Sequence, residues 1–418
     1  MAKGTPGKLA MDGGEKAFNR PFPPRRLFGK EEKKAAMALF DHSIKVGEAF
    51  GYGGKEEDAY CAEFAKFVGG GYADAVNSGT SAVYVALRAL QLEPFTEVIC
   101  PPITDPGGVM PVPLSNLIPI PADAAPGSFN TGPDEVEARI TPRTSAILVA
   151  HLAGIPVEMG PLMEIARAKN LPVIEDCAQA HAAKYRGKYL GTIGDIGAFS
   201  TMFGKHHATG GQGGIVFTKD KDIYQKVRWY SDRGKPFGLP AGSSNCVASL
   251  NLNLNDLSAA IGRAQLKKLP KIAASRQRVA KALVAAFRKL KTVQLMTGPK
   301  QGEPSYWFLF VTLALDKIKV DKDTFVKALG AEGLAVAPRY VPIFTQADWY
   351  KNRAVFGKSG YPWTCPLYKG DPNQKFPWPN LAATEKVQFM VYIHESFSQK
   401  DIADTIAAFK KVEAAFIK

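Results

Sequence analysis

Short apolar runs alternate with amphipathic stretches along most of the chain. "YADAV" (72–76), "EVIC" (97–100), "LIPIPAD" (117–123), "SAILVAHLAG" (145–154), "LPVIED" (171–176), "GAFST" (197–201) and "GGIVFT" (213–218) predict strands. Helical spacing follows several of them, in "NSGTSAVYVALRAL" (77–90) and "MGPLMEIARAKN" (159–170). A further helical pattern over 31–68 is broken by "GYGGKEED". This alternation predicts an α/β sheet covered by helices on both faces. A long, broken helical region, 255–290, leads toward "SYWFLFVTLAL", a helix near "KDTFVKALGAEG", an extended "AVAPRY" and a closing helix in "SQKDIADTIAAFKKVEAAF". The pattern divides the chain into an extended N-terminal arm (1–30), a large domain (31–268) and a smaller C-terminal domain (269–418).

Composition narrows the class. The 418 residues exceed what one core usually serves. Apolar residues make up 46% and charged residues 22%, as in a soluble globular protein. No apolar run is long enough to span a membrane, and the first residues lack the apolar core of a signal peptide. Five scattered cysteines without a C-x-x-C argue against a disulfide framework or a structural zinc site, so a cytoplasmic location and no metal are expected. The net charge of +14 is spread along the chain without a nucleic-acid-binding motif. It suits attraction of a phosphorylated substrate or cofactor better than a nucleic acid.

In open α/β sheets, ligands sit at the carboxyl ends of strands, and three such ends carry chemistry. "NSGTSA" (77–82) opens a helix with a glycine and small hydroxyl residues, either an anion site or a plain N-cap. "VIEDCAQAH" (173–181) ends an apolar strand on two acids; a buried carboxylate there needs a cationic or donor partner. "GDIGAFSTMFGKHHATGGQGG" (194–214) places Ser200 at a strand end, Lys205 five residues on, then a glycine cluster. An anion cradle, a buried carboxylate and a presented lysine are the three needs of pyridoxal phosphate.

These segments, in this order and spacing, together with "LNDLSAAIGRAQL" (254–266), resemble the DegT/StrS family of sugar aminotransferases. The resemblance implies the fold type I architecture of pyridoxal-phosphate-dependent transferases: a large, mixed, mostly parallel sheet with helices on both faces, plus a smaller C-terminal α+β domain. It implies that Lys205 forms the Schiff base and shuttles a proton, and that Asp176 pairs with the pyridinium nitrogen. Gln179 would lie by the ring; Gly79, Thr80, Ser81 and Ser200 would hold the phosphate. Asn251 would reach a partner's phosphate across a homodimer interface. The expected reaction is a ping-pong transfer of an amino group from Glu or Gln to a keto sugar or keto cyclitol, with pyridoxamine phosphate as intermediate. The opening "LAMDGGEKAFNRPFP" and the late "VYIHESFSQKDIADTIAAFKKV" resemble the branch of scyllo-inosose aminotransferases and 3-amino-5-hydroxybenzoate synthase, which favours a cyclitol or free sugar ketone.

Two positions depart from the family pattern. Asp105, in "PPITDPGG", stands where an aromatic residue usually stacks on the cofactor ring, and Asn253 stands where an Arg is common. Asp105 is therefore a candidate substrate contact, with His181, His206 and Tyr340; Gln346 and His394 are weaker candidates. Counting back from the glycines would put His206 at the lysine position, as in relatives that are dehydratases. Counting forward from Ser200 gives Lys205, and this count is preferred because the glycine loop varies in length. A non-catalytic binding or regulatory protein of the same fold would have no need of a buried carboxylate facing a lysine.

Overall fold

The computed structural model describes residues 7–340 and 342–418. Seven of the predicted runs form one sheet: β1 (Tyr72–Val76), β2 (Glu97–Cys100), β3 (Ile118–Pro121), β4 (Thr144–Ala150), β5 (Val173–Asp176), β6 (Ile196–Ser200) and β7 (Gly214–Thr218). Their order is β1-β7-β6-β5-β4-β2-β3. β7 runs antiparallel to both neighbours and the remaining pairings are parallel.

Near-continuous apolar sequence reflects burial on both faces. Alternate residues of β4 separate cleanly: Ile147 and Val149 face one core, Ala146 and Leu148 the other. The first core is closed by α2 (Lys55–Phe67), α4 (Met159–Ala168) and the start of α6 (Asp256–Phe287). The second is closed by α3 (Gly79–Ala89) and α5 (Lys221–Ser231). Helix α1 (Lys30–Val46) lies against α6, with most of its surface exposed.

The C-terminal domain holds a second, antiparallel sheet of β8 (Val293–Leu295), β9 (Leu309–Leu313), β10 (Val336–Ala337) and β11 (Gln388–Val391), ordered β8-β9-β11-β10. Helices α7 (Lys322–Ala331) and α8 (Gln399–Phe416) and the second half of α6 complete its core.

Three features differ from the sequence expectation. The region 255–290 is not broken: α6 runs on through Pro270, which is exposed, so the expected boundary at 268/269 falls inside one helix. A segment from Phe344 to Tyr368 returns to the large domain. Phe344 enters its second core, and Trp363 and Tyr368 pack on Ile118 and Ile120 of the edge strand β3. The arm, expected as an extended segment, is docked on the small domain from Gly7 onward. Leu9 and Phe18 are buried in the small-domain core, and buried Glu332 accepts from the Ala10 and Ala17 N–H groups, 2.8 Å each.

Arg276 of α6 fastens the small domain. Its side chain is 2% exposed and donates to the carbonyls of Tyr306, Trp307 and Ile393 and to Glu395. Removing Arg276 would leave three buried carbonyls without this donor and Glu395 with Arg25 as its remaining partner. Arg276→Met is therefore expected to lower unfolding free energy by about 3–5 kcal/mol in urea titration. A loss within about 0.5 kcal/mol, the range of ordinary surface changes, would contradict this role.

Candidate active site

Three elements meet at the carboxyl edge of the sheet. Helix α3 starts two residues after β1, and Ser78 caps it by accepting from the Ser81 N–H at 3.0 Å. The first-turn N–H groups of Gly79 and Thr80 have no acceptor within the helix, which makes this end attractive to an anion. Ser200, the last residue of β6, lies directly against it. A Cβ on Gly79 would stand 2.6 Å from Ser200 Cβ and 2.9 Å from its Oγ, so only glycine permits this approach. Thr80 Oγ1 faces the Pro106–Gly108 turn, where a Cβ on Gly107 would come within 2.3 Å. Ser81 Oγ donates to Asn77 Oδ1 at 2.6 Å.

The two acids ending β5 part company, because neighbouring residues on a strand point to opposite faces. Glu175 accepts from His151 Nε2 and from the N–H groups of Gly191, Ile193 and Gly194 at 2.7–3.0 Å. Burial works against its charge, but His151 and these N–H groups outweigh it and hold the carboxyl below its usual range. His151, Glu175 and Cys177 do come within 4.8 Å of one another. His151 Nδ1, however, accepts from the Val157 N–H, so both its nitrogens are occupied within the fold.

Asp176 is different. It is 6% exposed, and Oδ1 accepts from the Ala178 N–H at 2.9 Å. Oδ2 has no hydrogen-bond partner among the described residues, and a Cβ on Gly108 would lie 2.7 Å from it. Burial raises the Asp176 pKa, opposed by the Ala178 N–H and by Lys205. A carboxylate on so buried a residue calls for a cationic or donor partner.

Lys205 supplies the opposing amine. It is 5% exposed, and Nζ stands 3.8 Å from the centre of the Trp307 ring. Among the described residues Nζ makes no hydrogen bond. Burial pushes its pKa down to about 8, against the pull of Asp105 and Asp176. Trp307 escaped sequence reasoning; no spacing rule links it to a lysine 102 residues away, and it stood there only as part of an apolar run.

Gln179 bridges the two domains: Oε1 accepts from the Ala153 N–H at 2.7 Å, and Nε2 donates to the Tyr340 hydroxyl at 3.0 Å. Tyr340 arrives because the strap after β10 pairs with the large domain at Ile103 and Ile343. Asp105 is exposed and caps its own turn, accepting from the Gly107 N–H at 3.0 Å. His181 Nε2 donates to the Ser200 carbonyl at 2.7 Å, while Nδ1 is buried without a partner. Burial holds this ring neutral, with a pKa near 4.

The structure does not bring the remaining candidates into this space. His206 is fully buried, with Nε2 donating to the Ser305 carbonyl, and His207 likewise meets Gly262. His394 Nε2 donates to the Pro23 carbonyl, and Gln346 is exposed. Asn251 lies on the surface, its Oδ1 accepting from Asn253 Nδ2 at 2.7 Å, so Asn253 orients Asn251.

The set fits pyridoxal phosphate: free N–H groups and hydroxyls for the phosphate, an unpaired Asp176 oxygen for the ring nitrogen and a desolvated amine for the aldehyde. Only the neutral amine attacks an aldehyde. Capture of pyridoxal phosphate by the apoprotein is therefore expected to quicken with pH and level off above about 8. A rate still climbing toward the ordinary lysine range would contradict the buried setting of Lys205.

Comparison with known proteins agrees with this geometry. Residues 30–369 match the DegT/DnrJ/EryC1/StrS aminotransferase family. GDP-perosamine synthase of Caulobacter vibrioides is 34% identical, covering 67% of this chain and 75% of its own length. The L-glutamine:2-deoxy-scyllo-inosose aminotransferase of Micromonospora echinospora is 30% identical, with 97% of this chain and 98% of the relative covered. A solved aminotransferase structure from Psychrobacter cryohalolentis superposes with a TM-score of 0.83 at 26% identity, over 94% of this chain and 99% of that one. The chain is thus a pyridoxal-phosphate-dependent transaminase and belongs to the DegT/DnrJ/EryC1/StrS aminotransferase family.

Proposed function

We propose that this transaminase moves an amino group from glutamate or glutamine to the ketone of a keto sugar or keto cyclitol, by a ping-pong route. The observation that carries the proposal is that Lys205 and Asp176 are both buried, leave Nζ and Oδ2 without a hydrogen-bond partner among the described residues, and feel each other's charge. Bound there, pyridoxal phosphate supplies an electron-withdrawing ring that stabilises charge on the carbon bearing the nitrogen.

The chain's own groups do the rest. Gly79 and Thr80 N–H, the Thr80 and Ser81 hydroxyls and Ser200 Oγ would bind the phosphate. Asp176 would accept from the protonated ring nitrogen, and burial strengthens that pairing by excluding water. Lys205 would hold the cofactor until the donor amine displaces it. The freed amine would move the proton from the donor carbon to the cofactor carbon that had carried the aldehyde, and the second half-reaction would run the same transfer in reverse onto the acceptor carbon. Trp307 covers that amine, and burial of the site as a whole favours its neutral, proton-accepting form. Gln179, fixed from both domains, would orient the ring, with Asp105, His181 and Tyr340 on the substrate side.

The dehydratase alternative needs a histidine where Lys205 stands. The sealed ring of His206 argues against it, since both its surroundings and its Ser305 bond are internal. A cyclitol or free sugar acceptor is favoured because the aminocyclitol-forming relative matches over nearly the whole of both chains. The Caulobacter relative, whose name points to a nucleotide-linked product, matches over a shorter span. A cytoplasmic homodimer is proposed as the working unit, with the exposed Asn251 reaching the partner's phosphate site.

Lys205→Ala is expected to abolish transamination while leaving the unfolding midpoint close to wild type. Full turnover by that variant would overturn the assignment. Asp176→Asn is expected to lower kcat by about 100-fold or more in a glutamine-dependent assay. An unchanged kcat would remove Asp176 from the mechanism.

A further inference from the structure

Nothing in the side chain of Lys205 explains how its amine is aimed. Nζ makes no hydrogen bond among the described residues, and the 201–210 segment has no regular secondary structure. What holds the lysine is its main chain. Its N–H donates to the Met202 carbonyl at 2.9 Å, which closes a tight turn but does not anchor it. The anchor comes from the N-terminal arm. Arg25 Nη1 donates to the Gly204 carbonyl at 2.7 Å and Nη2 to the Lys205 carbonyl at 2.6 Å. One planar guanidinium thereby grips two successive carbonyls of the turn. Trp307 Nε1 donates to the same Gly204 carbonyl at 3.0 Å, while its ring faces Nζ.

Arg25 is itself held. Its Nε donates to Glu395 Oε1 at 2.9 Å, and Glu395 Oε2 accepts from Arg276 Nε at 3.0 Å. The arm is pinned on either side of Arg25: the Pro23 carbonyl accepts from His394, and the Arg25 carbonyl accepts from Ser396 Oγ. The chain Arg276–Glu395–Arg25 thus links helix α6, the small domain and the arm to the backbone of the lysine turn. Arg25 and Glu395 both lie outside residues 30–369, the part that matches the family.

We propose that Arg25 is a positioning residue for Lys205. Its forked grip fixes the turn so that Nζ stays beside Trp307 and opposite Asp176, and Glu395 fixes the fork. This inference rests on the role proposed for Lys205. A misplaced reactive group of this kind costs roughly 100-fold in rate.

The test measures capture of pyridoxal phosphate by full-length apoprotein, as growth of the lysine-bound absorption band, alongside kcat and KM for glutamine. Borohydride reduction and peptide mapping locate the label. Arg25→Lys keeps the charge but cannot fork across two carbonyls. It is expected to slow capture and lower kcat by roughly 10- to 100-fold, with KM for glutamine nearly unchanged. Arg25→Ala is expected to behave similarly and to recover part of the capture rate with millimolar guanidinium. If Arg25→Ala fails to fold, Arg25→Lys decides alone. Capture at the wild-type rate in Arg25→Lys, or a change confined to KM, would overturn the proposal. A wild-type label found away from Lys205 would instead overturn the Lys205 assignment itself, so the two failures are distinguishable.

Discussion

A lysine amine and a carboxylate are both held out of water near one another, and neither is given a hydrogen-bonding partner that would satisfy it. That is the constraint on which the rest of the structure depends. An ordinary fold would solvate such groups or pair them tightly. Here Glu175 shows what satisfaction looks like: four donors meet its two oxygens. One residue later, Asp176 has one oxygen met by Ala178 and the other left open. Adjacent residues of one strand thus differ in how far the fold satisfies their carboxylates.

Maintaining that tension takes most of the molecule. The parallel strands bring Asp176 and Ser200 to the same edge of the sheet, and glycine at 79 lets the helix start close against Ser200. The small domain contributes Trp307 beside the amine and Tyr340 beside Gln179. The strap paired at Ile103 and Ile343, and the return of Phe344 into the large-domain core, keep the two domains in register. The basic charge of the chain is compatible with drawing in phosphorylated ligands, but the local anion site is built from N–H groups and hydroxyls.

Much of this was legible in the sequence. The seven strand runs are strongly apolar and bounded by turns, and each appears in the sheet. The motifs around Gly79, Asp176 and Lys205 are local in sequence and sit at strand ends, so spacing alone brought them under suspicion. The preference for Lys205 over His206 came from Ser200 and Lys205 sharing one short segment. What was not legible was long-range. The region 255–290 read as a broken helix, yet the helix continues through Pro270 with the ring at the surface. Trp307 and Arg25 meet the lysine turn from 102 and 180 residues along the chain, and Glu395 in turn holds Arg25. The partners of Trp307 and Arg25 in the turn are main-chain carbonyls, which leave no side-chain signature. The arm read as extended because its glycines, prolines and basic residues lack periodicity, although Leu9 and Phe18 anchor it in a core.

The most direct test of the central claim is borohydride reduction of the purified protein loaded with pyridoxal phosphate, before and after glutamine, followed by peptide mapping. The account predicts one reduced adduct, on the peptide carrying Lys205, that disappears when glutamine has first removed the cofactor from the lysine. An adduct on another residue, or none at all, would contradict it.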